Sequence, residues 1–106
     1  PWQSVGQSLE SIAKDQTGIY MLRFRGSEGL SYIGEGKIKD RVNPHLKKGN
    51  QPGHRQFFAF SETKLIELSY VVHNDWKSHQ RLEIENDLIA AHLVQRGEIP
   101  AAQFLG

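Results

Sequence analysis

Residues 17–42 read TGIYMLRFRGSEGLSYIGEGKIKDRV. Two tripeptides in this stretch run almost as mirror images: Gly18-Ile19-Tyr20 and Tyr32-Ile33-Gly34. Residues 18–25 are rich in Ile, Tyr, Met, Leu and Phe, which predicts a strand. Their apolar members fall on both parities, so the strand is expected to be covered on both faces. Gly26-Ser27-Glu28-Gly29 predicts a turn, and Leu30 to Gly34 the returning strand. Tyrosines on adjacent strands are ordinarily packing, because tyrosine favours strands and cross-strand aromatic pairs stabilise hairpins. Here each is tied to a glycine, which lets another backbone or a ligand approach closely. If the two tyrosines share a face, the residue numbers paired across the hairpin must have an even sum. That requires an odd-length loop, or a bulge near Gly26 to Gly29.

Outward from the hairpin, residues 4–15 (SVGQSLESIAKD) predict a short amphipathic helix, with Val5, Leu9 and Ile12 in register and Ser4 as an N-cap. Residues 37–48 also read as helix, with Ile38, Val42 and Leu46 in one stripe. Pro44 sits inside that pattern. It lacks an N–H and clashes with the carbonyl four residues back, so a kink is expected, or a break with a restart at 44. Gly49 to Gly53 is a loop, and Phe57, Phe58 and Phe60 are expected to be buried anchors. Lys64 to His73 predicts the next strand. Asn74 or Asp75 is expected to cap a long helix that runs to about residue 96 and is closed by Gly97. The expected fold is a single domain, residues 1–106, of α/β (α+β) sandwich type. Its sheet is small, three-stranded and mostly antiparallel, flanked by helices.

No apolar run approaches the length of a membrane span, and nothing resembles a secretory signal. The absence of cysteine excludes disulfides and thiolate metal sites and fits an intracellular, cytoplasmic protein. The chain begins at Pro1 and not at Met, so it is expected to be a piece of a longer protein. A net charge of +1 announces no polyanion partner. Its distribution does more: Lys37, Lys39, Arg41, Lys47 and Lys48 fall within twelve residues, opposed only by Asp40. Acid gathers towards the C-terminus, at Asp75, Glu83, Glu85, Asp87 and Glu98. Any basic run taken alone is usually a solvated helix face, but a basic patch on a near-neutral domain suits a phosphate-bearing ligand.

Gly18-Ile19-Tyr20, an interval of 11 residues, Tyr32-Ile33-Gly34, and then Arg41 and His45 in a basic helix together resemble the GIY-YIG nuclease superfamily. Residues 82–89 (LEIENDLI) resemble the C-terminal helix of that family, and the match places its metal-binding glutamate at Glu85. The resemblance covers roughly residues 17–104. It implies a metal-dependent DNA endonuclease with Tyr20, Tyr32, Arg41, His45 and Glu85 as the catalytic set. Glu85 would hold one Mg²⁺ or Mn²⁺, and Lys37, Lys39, Arg41, Lys47 and Lys48 would contact DNA. Specificity in the family usually comes from appended domains, so an appended DNA-binding domain or a partner protein would have to supply it here.

Hydrolysis of a phosphodiester needs an activated water, stabilisation of charge on the phosphate and help for the departing oxygen. One carboxylate suits a hard cation that keeps several waters and shares phosphate oxygens. Arg41 can fork onto a phosphate and never loses its proton. At about 100° per residue, Glu85 points between Leu88 and Ile89, beside His92, at the edge of the apolar face. Glu83 and Asp87 point the other way.

Two positions depart from the family pattern. Pro44 interrupts the helix that carries Arg41 and His45, so His45 need not share a face with Arg41, and its competing role is a surface histidine. The family often has an asparagine after a proline near the domain end; here Pro100 is followed by Ala101, Ala102 and Gln103, and Gln103 is at best a substitute. The GEGK of residues 34–37 lacks the spacing of a phosphate loop, and His54, His73, His79 and His92 lack zinc spacing. The alternative to an enzyme is the same fold with its chemistry lost, docking DNA or a protein. A plain interaction domain with coincidental tripeptides is disfavoured by the Arg and Glu at matching places.

Overall fold

The computed structural model describes residues 1–104. In chain order the elements are β1 (Gln3–Ser4), α1 (Val5–Ser11), β2 (Thr17–Phe24), β3 (Tyr32–Lys37), α2 (Ile38–Lys48), α3 (Phe57–Phe60), β4 (Ile66–Val72) and α4 (Ser78–Arg96). A 3-10 turn, Thr63–Leu65, precedes β4. The strands form one sheet in the order β1-β4-β2-β3, and every neighbouring pair is antiparallel. The sheet thus has four strands where three were expected. The addition is β1, whose two residues pair with Leu68 and Glu67. Two residues cannot display a period of two, so nothing in the pattern announced it. The helix expected over 4–15 is shorter for the same reason: Ser4 is still strand, and Ile12 leaves the helix in extended conformation.

Register decides which side chains meet. Tyr20 pairs with Gly34 and Leu22 with Tyr32, an even sum, so both tyrosines lie on one face of the sheet. The connection after the last pair, residues 23–31, has the odd length that parity demands. It turns at Gly26, whose φ of 77° lies in the region that favours glycine. On the even face, Tyr20, Leu22, Ile66 and Leu68 bury against Val5, Ile12, Ile38, Val42, Ala59 and Phe60. Those partners come from α1, α2, α3 and the segment after α1. On the odd face, Ile19 and Ile33 are buried too, under α4. The strand β2 is therefore covered on both faces, as its mixed parity predicted.

Three local expectations are corrected. Of the two outcomes expected at Pro44, the break with a restart is excluded: α2 continues through it. The N–H that Pro44 lacks would have bonded the carbonyl of Asp40, an exposed residue open to solvation, while buried Val42 and His45 anchor the helix on either side of the proline. The helix α4 begins at Ser78 and not after Asn74 or Asp75. The Asn74 carboxamide instead accepts hydrogen bonds from the Thr17 N–H (2.9 Å) and hydroxyl (3.2 Å), tying the exit of β4 to the start of β2. The Lys77 N–H at the helix start donates to Gln80 Oε1 (2.8 Å). Phe58 is 53% exposed, because a single turn such as α3 can send only one side inward, and that side carries Phe60. Gly97 closes α4 as expected, in left-handed conformation with its N–H on the Leu93 carbonyl. Among the described residues, no helix is long and apolar enough to cross a membrane.

Candidate active site

Tyr20 and Tyr32 reach the same end of the even face, with ring centroids 6.3 Å apart and planes inclined by 16°. The glycines of the two tripeptides explain themselves at this point. A Cβ on Gly34 would overlap the Tyr20 ring and hydroxyl, and a Cβ on Gly18 would strike the Val71 carbonyl. The second tripeptide needs its glycine so that the tyrosine of the first can lie across it. The first needs its glycine so that β4 can approach.

From α2 comes His45, 5% exposed and not a surface residue. Its Nε2 lies 3.1 Å from the Tyr20 hydroxyl, and its ring lies 4.2 Å from that of Tyr32 and 5.2 Å from that of Phe60. Unbroken passage of α2 through Pro44 leaves Arg41 one turn before His45. Arg41 is exposed, its stem lies over Gly36, and it joins none of the ion pairs among the described residues. Its positive charge is nonetheless felt by Tyr20, Tyr32 and Glu85.

Glu85 arrives from the other layer. The helix α4 runs antiparallel to β3 and is pinned to it at two points. Arg81 Nε donates to Glu35 (2.9 Å) in a largely buried ion pair, and His92 Nε2 accepts the Leu30 N–H (2.9 Å). Between these anchors Glu85 is half-buried, whereas Glu83 and Asp87 are exposed. Because β3 is the edge strand and carries glycine at 34 and 36, no side chain on its even face at those positions separates the two layers. Glu85 acts electrostatically on both tyrosines.

Burial dominates the electrostatics of the cluster. It raises Tyr20 far above the ordinary phenol range, with negative charge at Tyr32 and Glu85 adding to it and Arg41 opposing. Tyr32 is raised by burial and Glu85 and eased by Arg41. Burial and the Lys48 ammonium push His45 down to about 4, so its ring is neutral. Burial, then Glu35, raises the Glu85 carboxyl, and Arg41 lowers it. Glu35 is engaged by Arg81, while Glu85 makes no side-chain bond among the described residues. A half-buried oxygen donor beside a second carboxylate is the setting in which a hard divalent cation gains most. Among the described residues no group of three or more His, Asp or Glu is gathered for a metal, so Glu85 would leave the remaining positions to waters and phosphate oxygens.

An open cleft of about 520 Å³ adjoins the cluster, lined by Glu35, Gly36, Lys37, Arg41 and Arg81 among others. Of the remaining cations, Lys47 is exposed and Lys39 half-buried. Lys48 departs from the expected DNA-facing row: its Nζ turns inward to Gln56 Oε1 at 2.9 Å. Gln103, 4% exposed, accepts the Ile33 N–H through Oε1 and donates through Nε2 to the Ile33 carbonyl, both at 2.8 Å. It pairs with the middle residue of the second tripeptide as a neighbouring strand would. Sequence reasoning missed Glu35, Arg81 and Gln56. Glu35 was accessible through parity, since an odd residue of β3 faces α4. Gln56 follows a loop with no period and gave no signal. Comparison with family models, with curated proteins and with solved structures gives no match to this chain.

Proposed function

We propose that this chain is a metal-dependent DNA endonuclease of the GIY-YIG kind. The observation that carries the reading is the meeting of Tyr20, Tyr32, His45, Arg41 and Glu85, supplied by four elements in two layers, around the glycine-bearing part of β3. Packing alone needs none of the polar ends that converge there.

Glu85 would hold one Mg²⁺ or Mn²⁺, which when bound supplies charge stabilisation to a phosphate oxygen. The chain's own residues do the rest. Arg41, exposed at the cleft mouth and permanently charged, forks onto the phosphate and balances charge that grows during cleavage. Tyr20 cannot serve as a free phenolate, because burial holds its proton. Its hydroxyl is shared with His45, so it acts by orienting and passing protons. Tyr32 is half-exposed, with its ring 4.2 Å from that of His45, so it is the tyrosine that can meet an incoming water. Lys37 lines the cleft and is placed to hold a flanking phosphate.

The test is nicking of supercoiled plasmid and of branched DNA with Mg²⁺, with Mn²⁺ and with chelator. Cleavage that requires the cation supports the reading. Tight DNA binding without cleavage under any of these conditions would assign the chain to the non-catalytic alternative.

A further inference from the structure

Gln56 lies behind the site at the start of α3 and is 2% exposed. Nε2 of its amide donates to the Ala102 carbonyl (2.9 Å). Oε1 accepts from Lys48 Nζ (2.9 Å) and lies 3.4 Å from His45 Nδ1. The chemistry of these neighbours settles the orientation of the amide. A carbonyl only accepts and an ammonium only donates, so a flipped amide would lose both short contacts. The oxygen therefore faces His45. Nδ1 can meet an acceptor only if it carries the ring proton, and in a neutral ring Nε2 is then a lone pair. The Tyr20 hydroxyl, 3.1 Å from Nε2, must donate to it.

We propose that Gln56 is a positioning residue that fixes His45 in the Nδ1–H tautomer and thereby commits the Tyr20 hydroxyl proton to His45. The phenol oxygen of Tyr20 is left with lone pairs only, so any further partner must donate to it. An attacking water is such a donor, and this last step rests on the nuclease reading. The tautomer does not. Lys48 shares the amide oxygen, and its charge discourages a second proton on the ring. The low position of His45, about 4, agrees with that arrangement. The other rings around His45, those of Tyr20, Tyr32 and Phe60, offer no competing acceptor at Nδ1.

Long-range ¹H–¹⁵N correlation spectra of the labelled chain near neutral pH read the tautomer directly, with no need for substrate. The expected wild-type result is a protonated Nδ1 and a bare Nε2 at His45. Gln56→Met keeps length and volume but removes the acceptor. It should shift His45 wholly or partly to the Nε2–H form and slow cleavage about 10- to 100-fold, the size of loss seen when the group orienting a metal-bound histidine is removed. Gln56→Glu keeps an oxygen acceptor in place and should retain the Nδ1–H form. A merely structural glutamine would lose stability in both variants and change the tautomer in neither. An Nε2–H ring in the wild type overturns the proposal, and so does an unchanged Nδ1–H ring in folded Gln56→Met. Should Gln56→Met fail to fold, the smaller Gln56→Ala, which also removes the acceptor, takes its place: a shift towards the Nε2–H form supports the proposal and an unchanged Nδ1–H ring overturns it. A wild type that cuts no DNA, yet shows these tautomers, would sink the nuclease reading and support the role of Gln56.

Discussion

At His45, burial and the Lys48 ammonium act together against the charged ring, and the consequence is a pH-dependent stability. The folded position of about 4 lies below the ordinary histidine value of roughly 6.5. Between those values the unfolded chain takes up a proton that the native chain refuses. The contribution is fully present above pH ~6.5 and is lost as the pH falls towards 4, by about 3 kcal/mol in all. Glu85 works in the opposite direction, because its raised carboxyl takes up a proton earlier in the folded state. Urea unfolding followed from pH 7 to pH 4.5 should therefore show falling stability in the wild type. In His45→Gln the fall should be much shallower, and an equal slope in both would contradict the buried neutral ring. Arg41 behaves differently. It is exposed and joins no ion pair among the described residues, so Arg41→Ala should leave the unfolding midpoint nearly unchanged while removing cleavage. Arg41→Lys should rescue poorly, since the planar fork is gone. The tyrosines, Arg41 and Glu85 could be chosen from sequence because motif, parity and helical angle each point at a single side chain. The burial of His45 was obscured by Pro44, whose local cost is small where the orphaned carbonyl is open to water.

The edge strand β3 is closed by a side chain. Gln103 supplies one donor and one acceptor to Ile33, in a place where another strand would otherwise pair. Replacing it with Leu would leave a buried N–H and a buried carbonyl unpaired, at about 1–3 kcal/mol each. Gln103→Leu should thus lose roughly 2–6 kcal/mol in denaturant unfolding. Gln103→Ala, which leaves room for water, should lose less. Equal, small losses in both would mean that the pairing contributes little. The departure from the expected asparagine is thus filled by a residue that pairs with the middle of the second tripeptide. Sequence reasoning read β2, β3 and β4 to within two or three residues, because short runs rich in apolar and aromatic residues, bounded by turn residues, mark them. It missed β1, too short for any period. It also started α4 early, because Asn74 looks like a cap while its carboxamide is needed by Thr17.

At the scale of the whole molecule, the basic cluster of the sequence is displayed around α2. Lys37, Arg41 and Lys47 are exposed on or beside α2, while exposed Glu83 and Asp87 occupy the outer side of α4. DNA approaching the cleft would meet the first group. If Lys37 and Lys47 each touch a phosphate, Lys37→Ala and Lys47→Ala should each reduce the slope of log affinity against log salt by about 0.9. Lys48→Ala should change that slope less, because its ammonium is turned onto Gln56. Fluorescence anisotropy over a salt series reads all three. The division into two layers also makes the proposed chemistry testable in one experiment, because of Glu83, Glu85 and Asp87 on α4 it is Glu85 that acts on the tyrosines. The measurement is the plasmid-nicking rate in Mg²⁺ and in Mn²⁺ for the wild type, Glu85→Gln, Glu83→Gln and Asp87→Asn. A single-carboxylate site predicts cation-dependent nicking by the wild type, near-normal rates for Glu83→Gln and Asp87→Asn, and a fall to background for Glu85→Gln in a chain that still folds and binds DNA. Nicking by Glu85→Gln at the wild-type rate, or equal partial losses in all three variants, would contradict it.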